Sequence, residues 1–394
     1  MWRIPYYQGV VFARLSPDVA VGSVERVCLV IGQLGLGGAE KQLALLAAGL
    51  RHRGVEATVV VLRQGGPRED ILREAGVPLI NLGLPSPARS WQQPAVFALG
   101  LERLRRTLLR LRPEVVHAFL LHSCVLTAPA ARLAGVPVCV AGRRSLSDYK
   151  AGLRLAVAGE RVATRMTDLL IANAHAVADD AVRTEGVARD KIRVVYNGLT
   201  DAAFEPAPPA ELACSTPLLL CVANLRACKG HRYLLDAAAR LRERGLACTL
   251  ALVGAGPEEE VLRRQAERLG LDVRFLGART DIAALLARAD VFVLPSLTEG
   301  MSNAVMEAMA AGRPVVATEV GGTAELIEGR GVLVPPADAD ALAAGLERVL
   351  RDPAGARRVA ETARAWSRRF LHLDAMVDRH LDIYSQLLAA RCAG

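Results

Sequence analysis

The run Val291-Phe292-Val293-Leu294-Pro295 leads directly into Ser296-Leu297-Thr298-Glu299-Gly300-Met301-Ser302-Asn303-Ala304-Val305-Met306-Glu307. Its first part is an apolar, β-branched segment of strand character closed by a proline. Ser302 is a good N-cap residue, so a helix is expected to start there with its unpaired N–H groups and positive dipole end facing the loop. Such a helix start suits a diphosphate. Glu299, just ahead of the helix, can accept hydrogen bonds from sugar hydroxyls. Glu307, inside it, can clasp a ribose diol through both oxygens. Val305, Met306, Met309 and Ala310 surround Glu307, and Gly312-Arg313-Pro314-Val315-Val316-Ala317 supplies a following strand. The two acids therefore fall at the carboxyl edge of a parallel sheet, where open α/β folds bind ligands. The junction reads as a seat for a nucleotide sugar, against the plainer alternative of a decorated turn and a solvated helix glutamate.

The same alternation of strand-like runs and amphipathic helices recurs outward from this junction in both directions, the pattern of βα units. In the first half, strands are expected at 26–31, 57–62, 115–118, 136–141, 168–172 and 192–196, with helices such as 38–51 between them. In the second half they fall at 218–223, 249–253, 273–276, 291–294, 314–317 and 331–334. Residues 199–217 contain Pro206, Pro208, Pro209 and Pro217 and follow the turn signal Asn197-Gly198, so they read as a linker. The chain thus divides into a first α/β domain (24–199), a linker (200–217) and a second α/β domain (218–371). The C-terminal helix, about 372–394, carries Leu373, Met376 and Tyr384 for burial and is expected to cross back to the first domain.

Size and composition agree with two domains. The chain has 394 residues, too many for one ordinary core, and 52% hydrophobic with 23% charged residues excludes wholesale disorder. The net charge of +8 (49 basic minus 41 acidic) favours anionic partners such as nucleotides, phosphorylated lipids or an anionic membrane surface. Eight cysteines lie scattered with no C-x-x-C, which reads as small buried hydrophobes in a reducing compartment. The first 24 residues lack the apolar segment and cleavage site of a signal peptide, and no run is long and apolar enough for a membrane span. A cytoplasmic protein is the expectation.

After the first strand comes Gly32-Gln33-Leu34-Gly35-Leu36-Gly37-Gly38-Ala39-Glu40, whose glycines let backbone amides approach a phosphate. It fails as a dinucleotide fingerprint, because Glu40 stands where a third glycine or alanine is needed. No acidic residue ends the second strand either, since Leu62 is followed by Arg63 and Gln64. A NAD-dependent oxidoreductase is a weak rival.

Taken together, the Gly35–Glu40 loop, the turn Asn224-Leu225-Arg226-Ala227-Cys228-Lys229-Gly230, the Glu299 and Glu307 pair and the double-sheet layout resemble the retaining GT-B glycosyltransferases of family 4. That resemblance implies two Rossmann-like domains with parallel sheets facing a central cleft, the second binding the sugar nucleotide and the first presenting the acceptor. It implies that Glu307 takes the ribose, and that Glu299 with Gly300, Met301, Ser302 and Asn303 takes the donor sugar. Lys229 would sit on the donor diphosphate and stabilise the leaving group. The family usually has an arginine where this chain has Asn224, and Arg226 is the expected substitute. Gly37 and Gly38 complete the donor seat. In Val140-Ala141-Gly142-Arg143-Arg144-Ser145, relatives often carry a histidine at the position of Arg143, which cannot act as a general base but can bind a hydroxyl or phosphate. His117 and His122 read as structural histidines near a strand end.

No metal or other cofactor is implied. The lone D-x-D, Asp338-Ala339-Asp340, follows two prolines and precedes an alanine-rich stretch, so helix capping is its expected job. The basic amphipathic stretch 101–112 is expected to pack its apolar stripe on the first sheet, with peripheral contact to the inner face of an anionic membrane left open. Contact there would make a lipid-linked acceptor plausible; a soluble saccharide acceptor is the other choice, and nucleic acid is not expected. Two rivals remain on the same architecture: a nucleotide-sugar epimerase, and a non-catalytic nucleotide-sugar-binding protein.

Overall fold

The computed structural model describes residues 24–85, 94–147 and 154–392. The segment 1–23, read above for a leader, and the last two residues of the expected C-terminal helix lie outside them. The first sheet comprises β1 (Arg26–Ile31), β2 (Glu56–Val61), β3 (Leu79–Asn81), β4 (Val115–Phe119), β5 (Val138–Arg143), β6 (Leu169–Ala172) and β7 (Ile192–Val194). The second comprises β8 (Leu218–Val222), β9 (Thr249–Val253), β10 (Val273–Phe275), β11 (Val291–Leu294), β12 (Val315–Thr318) and β13 (Val332–Val334). Strand order is β3-β2-β1-β4-β5-β6-β7 in one and β10-β9-β8-β11-β12-β13 in the other. Every pairing is parallel.

Helices cover both faces of each sheet, which is why the central strands are near-continuous apolar runs rather than alternating ones. Cys28 to Ile31, Val59 to Val61 and Leu218 to Cys221 are all buried. The chain order of each sheet reverses at β1/β4 and at β8/β11, and crevices open at such switch points beyond the carboxyl ends of the strands. The edge strand β3 is an addition to the sequence reading; three residues are too short to show a period.

The linker holds a single helical turn, Asp201–Ala203, and tucks Phe204 into a core shared by the two domains. That core joins Ala172, Ala174 and Val177 of the first domain to Met301, Val305 and Met306 of the second. The helix Pro353–Phe370 stays with the second domain, contributing Ala363 to this cluster. At Leu371 the chain turns back. The amide of Leu199 donates to Leu371 O at 2.7 Å and that of Leu373 to Leu199 O at 2.8 Å. The helix Leu373–Cys392 then buries Met376, Val377, Ile383 and Tyr384 against the first sheet and the helix Gly38–His52.

Other readings resolve locally. Asp338 caps the helix Ala339–Arg351 by accepting from the Ala341 amide at 2.9 Å, and Asp340 pairs with Arg240 at 3.1 Å. Among the cysteines, Cys28, Cys124, Cys139 and Cys221 are buried, Cys214 and Cys248 are half-buried and Cys228 and Cys392 are exposed, so the reading of all eight as buried hydrophobes holds fully for the first four only. The helix Pro94–Leu111 buries Leu104 and Leu108 and leaves Arg106, Arg110, Leu99 and Leu109 exposed. Among the described residues no helix is long and apolar enough to cross a membrane.

Candidate active site

The carboxyl ends of the two sheets face each other across a cleft of about 960 Å³. Its second-domain wall is the loop after β11 and the helix Asn303–Ala310. Ser302 is the N-cap, its Oγ accepting from the Val305 amide at 3.4 Å, so the positive end of the helix opens on the cleft. Glu299 Oε1 accepts from Lys229 Nζ at 2.5 Å and from Ser296 Oγ at 2.8 Å. Lys229 ends a helical turn, Ala227–Lys229, whose next residue, Gly230, has φ of +66°. A Cβ at Gly230 would lie 2.0 Å from Pro295 O, so only glycine lets this turn close on the loop that carries Glu299.

The first-domain wall is the glycine-rich loop and the helix Gly38–His52. Lys41 Nζ donates to Glu307 Oε1 at 2.5 Å, a bond between residues 266 apart in the chain. Asn303 Nδ2 donates to Gly38 O at 3.2 Å, and its Oδ1 accepts from Asn197 Nδ2 at 2.8 Å and from Gln42 Nε2 at 3.3 Å. Gln42 also exchanges hydrogen bonds with the backbone of Gly198, at 2.9 and 2.8 Å. A Cβ on Gly300 would sit 2.2 Å from Arg144 O, so the domains meet there at backbone distance. Below the cleft, Glu325 of the second domain accepts from the amides of His175 and Ala176 at 3.0 and 2.8 Å and from Tyr196 Oη at 3.0 Å.

Of the residues singled out from sequence, Gly37, Gly38, Asn224, Lys229, Glu299, Gly300, Met301, Ser302, Asn303 and Glu307 all line this one cleft. Two do not. Arg226 is exposed at the N-cap of the turn before Lys229, where its carbonyl accepts from the Lys229 amide, and it is absent from the cleft wall. Arg143 is buried on the other side of β5, bonded to Glu185 at 2.8 and 2.9 Å, to Thr164 at 2.7 Å and paired with Glu160 at 3.2 Å. Burial is the largest influence and opposes its charge, but the Glu185 hydrogen bonds together with the nearby Cys124, Glu160 and Glu185 outweigh it, so its pKa is raised. It is a structural ion pair within the first domain, not a donor-binding group. Successive residues of a strand face opposite ways, and the side chain that reaches the cleft is the next one, Arg144.

His117 is fully buried with Nδ1 2.7 Å from Tyr384 Oη, and burial, then His380 and Arg144, hold its pKa well below the usual value. Lys41, Gln42, Asn197, Arg144 and Glu325 escaped the sequence reading. Lys41 had one signal, its place one turn into the helix after a glycine-rich loop; the others become visible only through contacts between the domains.

Residues 216–352 match the family model described as glycosyl transferases group 1, and residues 37–198 the one described as glycosyl transferase 4-like domain. The chain is 36% identical over 268 residues to glycogen synthase of Mycobacterium tuberculosis, covering 64% of each chain. That match spans just under two thirds of the relative's length. To the lipopolysaccharide core biosynthesis glycosyltransferase LpsE of Rhizobium meliloti it is 28% identical over 370 residues, 90% of this chain and 96% of that one. In fold it is similar to Anabaena HepE in complex with UDP, with a TM-score of 0.78, 23% identity, and coverage of 92% and 100%. The two family models cover most of both sheets and lie on either side of the linker, and the chain belongs to the group 1 glycosyltransferases, with their GT-B fold of two Rossmann-like domains.

Proposed function

We propose that this chain is a retaining glycosyltransferase that moves a sugar from a nucleoside-diphosphate donor to a saccharide or lipid-linked acceptor in glycan or polysaccharide biosynthesis. The observation that carries this is the convergence of Lys229, Glu299, Glu307 and the positive end of the helix Asn303–Ala310 on one cleft between two α/β domains. UDP as the donor nucleotide is consistent with the complexes of Anabaena HepE with UDP and with UDP-glucose.

Glu307 takes the ribose, in competition with its present partner Lys41, and Glu299 takes a hydroxyl of the donor sugar. In the transfer, the bond from the sugar C1 to the diphosphate oxygen breaks while the acceptor oxygen bonds C1 on the same face. The acceptor hydroxyl proton passes to the departing phosphate oxygen. Lys229 and the helix end neutralise the charge that develops on the diphosphate, with no metal required. Glu299 and Glu307 are binding groups, each already held by a lysine, rather than the facing acid and nucleophile of a retaining glycosidase. Contact between the domains excludes water and limits donor hydrolysis. A lipid-linked acceptor would bring the exposed Arg106, Arg110, Leu99 and Leu109 to the membrane surface, which co-sedimentation with anionic vesicles tests.

The decisive experiment incubates the pure protein with UDP-, GDP-, ADP- and dTDP-sugars in the presence of a chelator and follows nucleoside diphosphate release. Transfer or slow hydrolysis supports the proposal, and the anomeric configuration of the product reports retention. Interconversion of donor sugars indicates an epimerase, binding without turnover a sensor, and dependence on added metal removes the metal-free mechanism.

A further inference from the structure

The first-domain wall of the cleft holds a buried cation that no acid balances. Arg144 is only 8% exposed and lines the cleft. Its guanidinium lies over the Phe119 ring, 4.4 Å from the centroid, and Nη1 donates to Asn197 Oδ1 at 3.0 Å. Its Nε is buried with no hydrogen-bond partner, and among the described residues no carboxylate pairs with it. Burial pushes its pKa down to about 10.

The preceding residue is an internal control. Arg143 is as deeply buried, yet Glu185 and Glu160 meet its charge and Thr164 takes a further donor. The inward arginine is thus fully compensated and the cleft-facing one is not. An uncompensated buried charge is costly to the fold, and such a group persists where a ligand completes it. The planar fork of a guanidinium matches a carboxylate or phosphate through two parallel bonds, and the Phe119 ring beneath it fixes the plane in which those bonds point. Arg68, which also lines the cleft with Nε buried and unbonded, adds positive potential on the same domain; Glu40 is the acid near it. Lys229 and Lys41 are, by contrast, each matched to a glutamate.

We infer that the first-domain side of the cleft binds an acceptor saccharide bearing an anionic group, a carboxylate or a phosphate, held by the guanidinium of Arg144. This rests on the transferase reading for the word acceptor, though not for the anion site itself. Arg144 is a specificity-determining residue: it selects which saccharide is presented to the donor.

The test is calorimetric titration of D-glucuronate, D-glucose 1-phosphate and D-glucose into the full chain saturated with UDP, for wild type, Arg144→Gln and Arg144→Lys. At least one anionic sugar should bind wild type roughly tenfold or more tightly than glucose, the ratio of one good charge-assisted contact. Which one does so separates a carboxylate from a phosphate. Arg144→Gln should lose that preference and keep its UDP affinity, and Arg144→Lys, which keeps the charge and loses the fork, should fall between. Equal binding of the three sugars by wild type, or no binding of any, overturns the inference. So does an Arg144→Gln variant that keeps the preference, or one that loses UDP affinity in step, since that would put Arg144 on the donor. If Arg144→Gln does not fold, the wild-type preference and its decline in Arg144→Lys decide. Should wild type bind no UDP, the transferase reading fails, and the same titrations without UDP still decide the anion site.

Discussion

Replacing Glu325 by alanine should loosen the two domains while leaving each intact. The carboxylate spans the interface and accepts three hydrogen bonds, two from the first-turn amides of the helix His175–Glu185 and one from Tyr196. That helix has Ala174 at its N-cap and no side-chain cap of its own, so Glu325 caps it from the other domain. Bonds to a charged acceptor contribute about 1.5–3 kcal/mol each and loss of an N-cap costs roughly 1 kcal/mol. Glu325 is half-buried and water replaces part of what is lost, so the net cost to closure is about 2–3 kcal/mol, a roughly 30- to 150-fold shift toward open forms. Apparent donor affinity falls by the fraction of closed molecules lost, with that ratio as the ceiling. Small-angle scattering of the ligand-free variant should give a larger radius of gyration than wild type, saturating UDP should restore it, and UDP titration should show weaker binding. Glu325→Gln, which keeps one acceptor oxygen, should lie between. An unchanged radius together with unchanged UDP affinity in Glu325→Ala would refute the view that this contact holds the domains together.

Three further outcomes follow from the geometry. Gly300→Ala places a Cβ 2.2 Å from Arg144 O, so the domains cannot approach as they do; kcat/KM should fall at least about tenfold with little loss of thermal stability, and wild-type kinetics would count against the close contact. Lys229→Ala removes the cation that the proposed mechanism sets against the leaving group, and steady-state assays should show kcat down by about 10²–10³ with a smaller change in KM; a loss confined to KM would make Lys229 a binding residue only. His231 is buried at the start of the helix after Gly230, and burial, then Lys229, lowers its pKa to about 4 from 6.5. The unfolded chain therefore takes up this proton first, and stability is lost as pH falls from about 6.5 towards about 4. Thermal unfolding across that range should show a falling midpoint that is shallower in His231→Asn, and identical slopes would exclude His231 as a contributor.

The fold and the second-domain wall of the cleft are legible because both are written in contiguous sequence. Strands buried on both faces are apolar runs whatever their partners, and Ser302, Glu299 and Glu307 sit on one loop and one helix whose start the N-cap residue announces. The rest depends on distance and orientation. Lys41 with Glu307, Asn197 with Asn303 and Glu325 with the His175 amide are pairs that only the docking of two domains brings together. Arg143 and Arg144 make the same point within a dipeptide. A strand end sends consecutive side chains to opposite faces, and register is invisible to a reader of residue types, so residue type alone does not tell which of the two arginines is tied up inside the first domain and which lines the cleft. Charge counting fails for a related reason. A net charge of +8 says that cations are in excess, but not that Lys229, Lys41 and Arg143 are each spoken for while Arg144 is left open to the cleft. What a site can bind is set by the charges left over after folding, and those are a property of the packing.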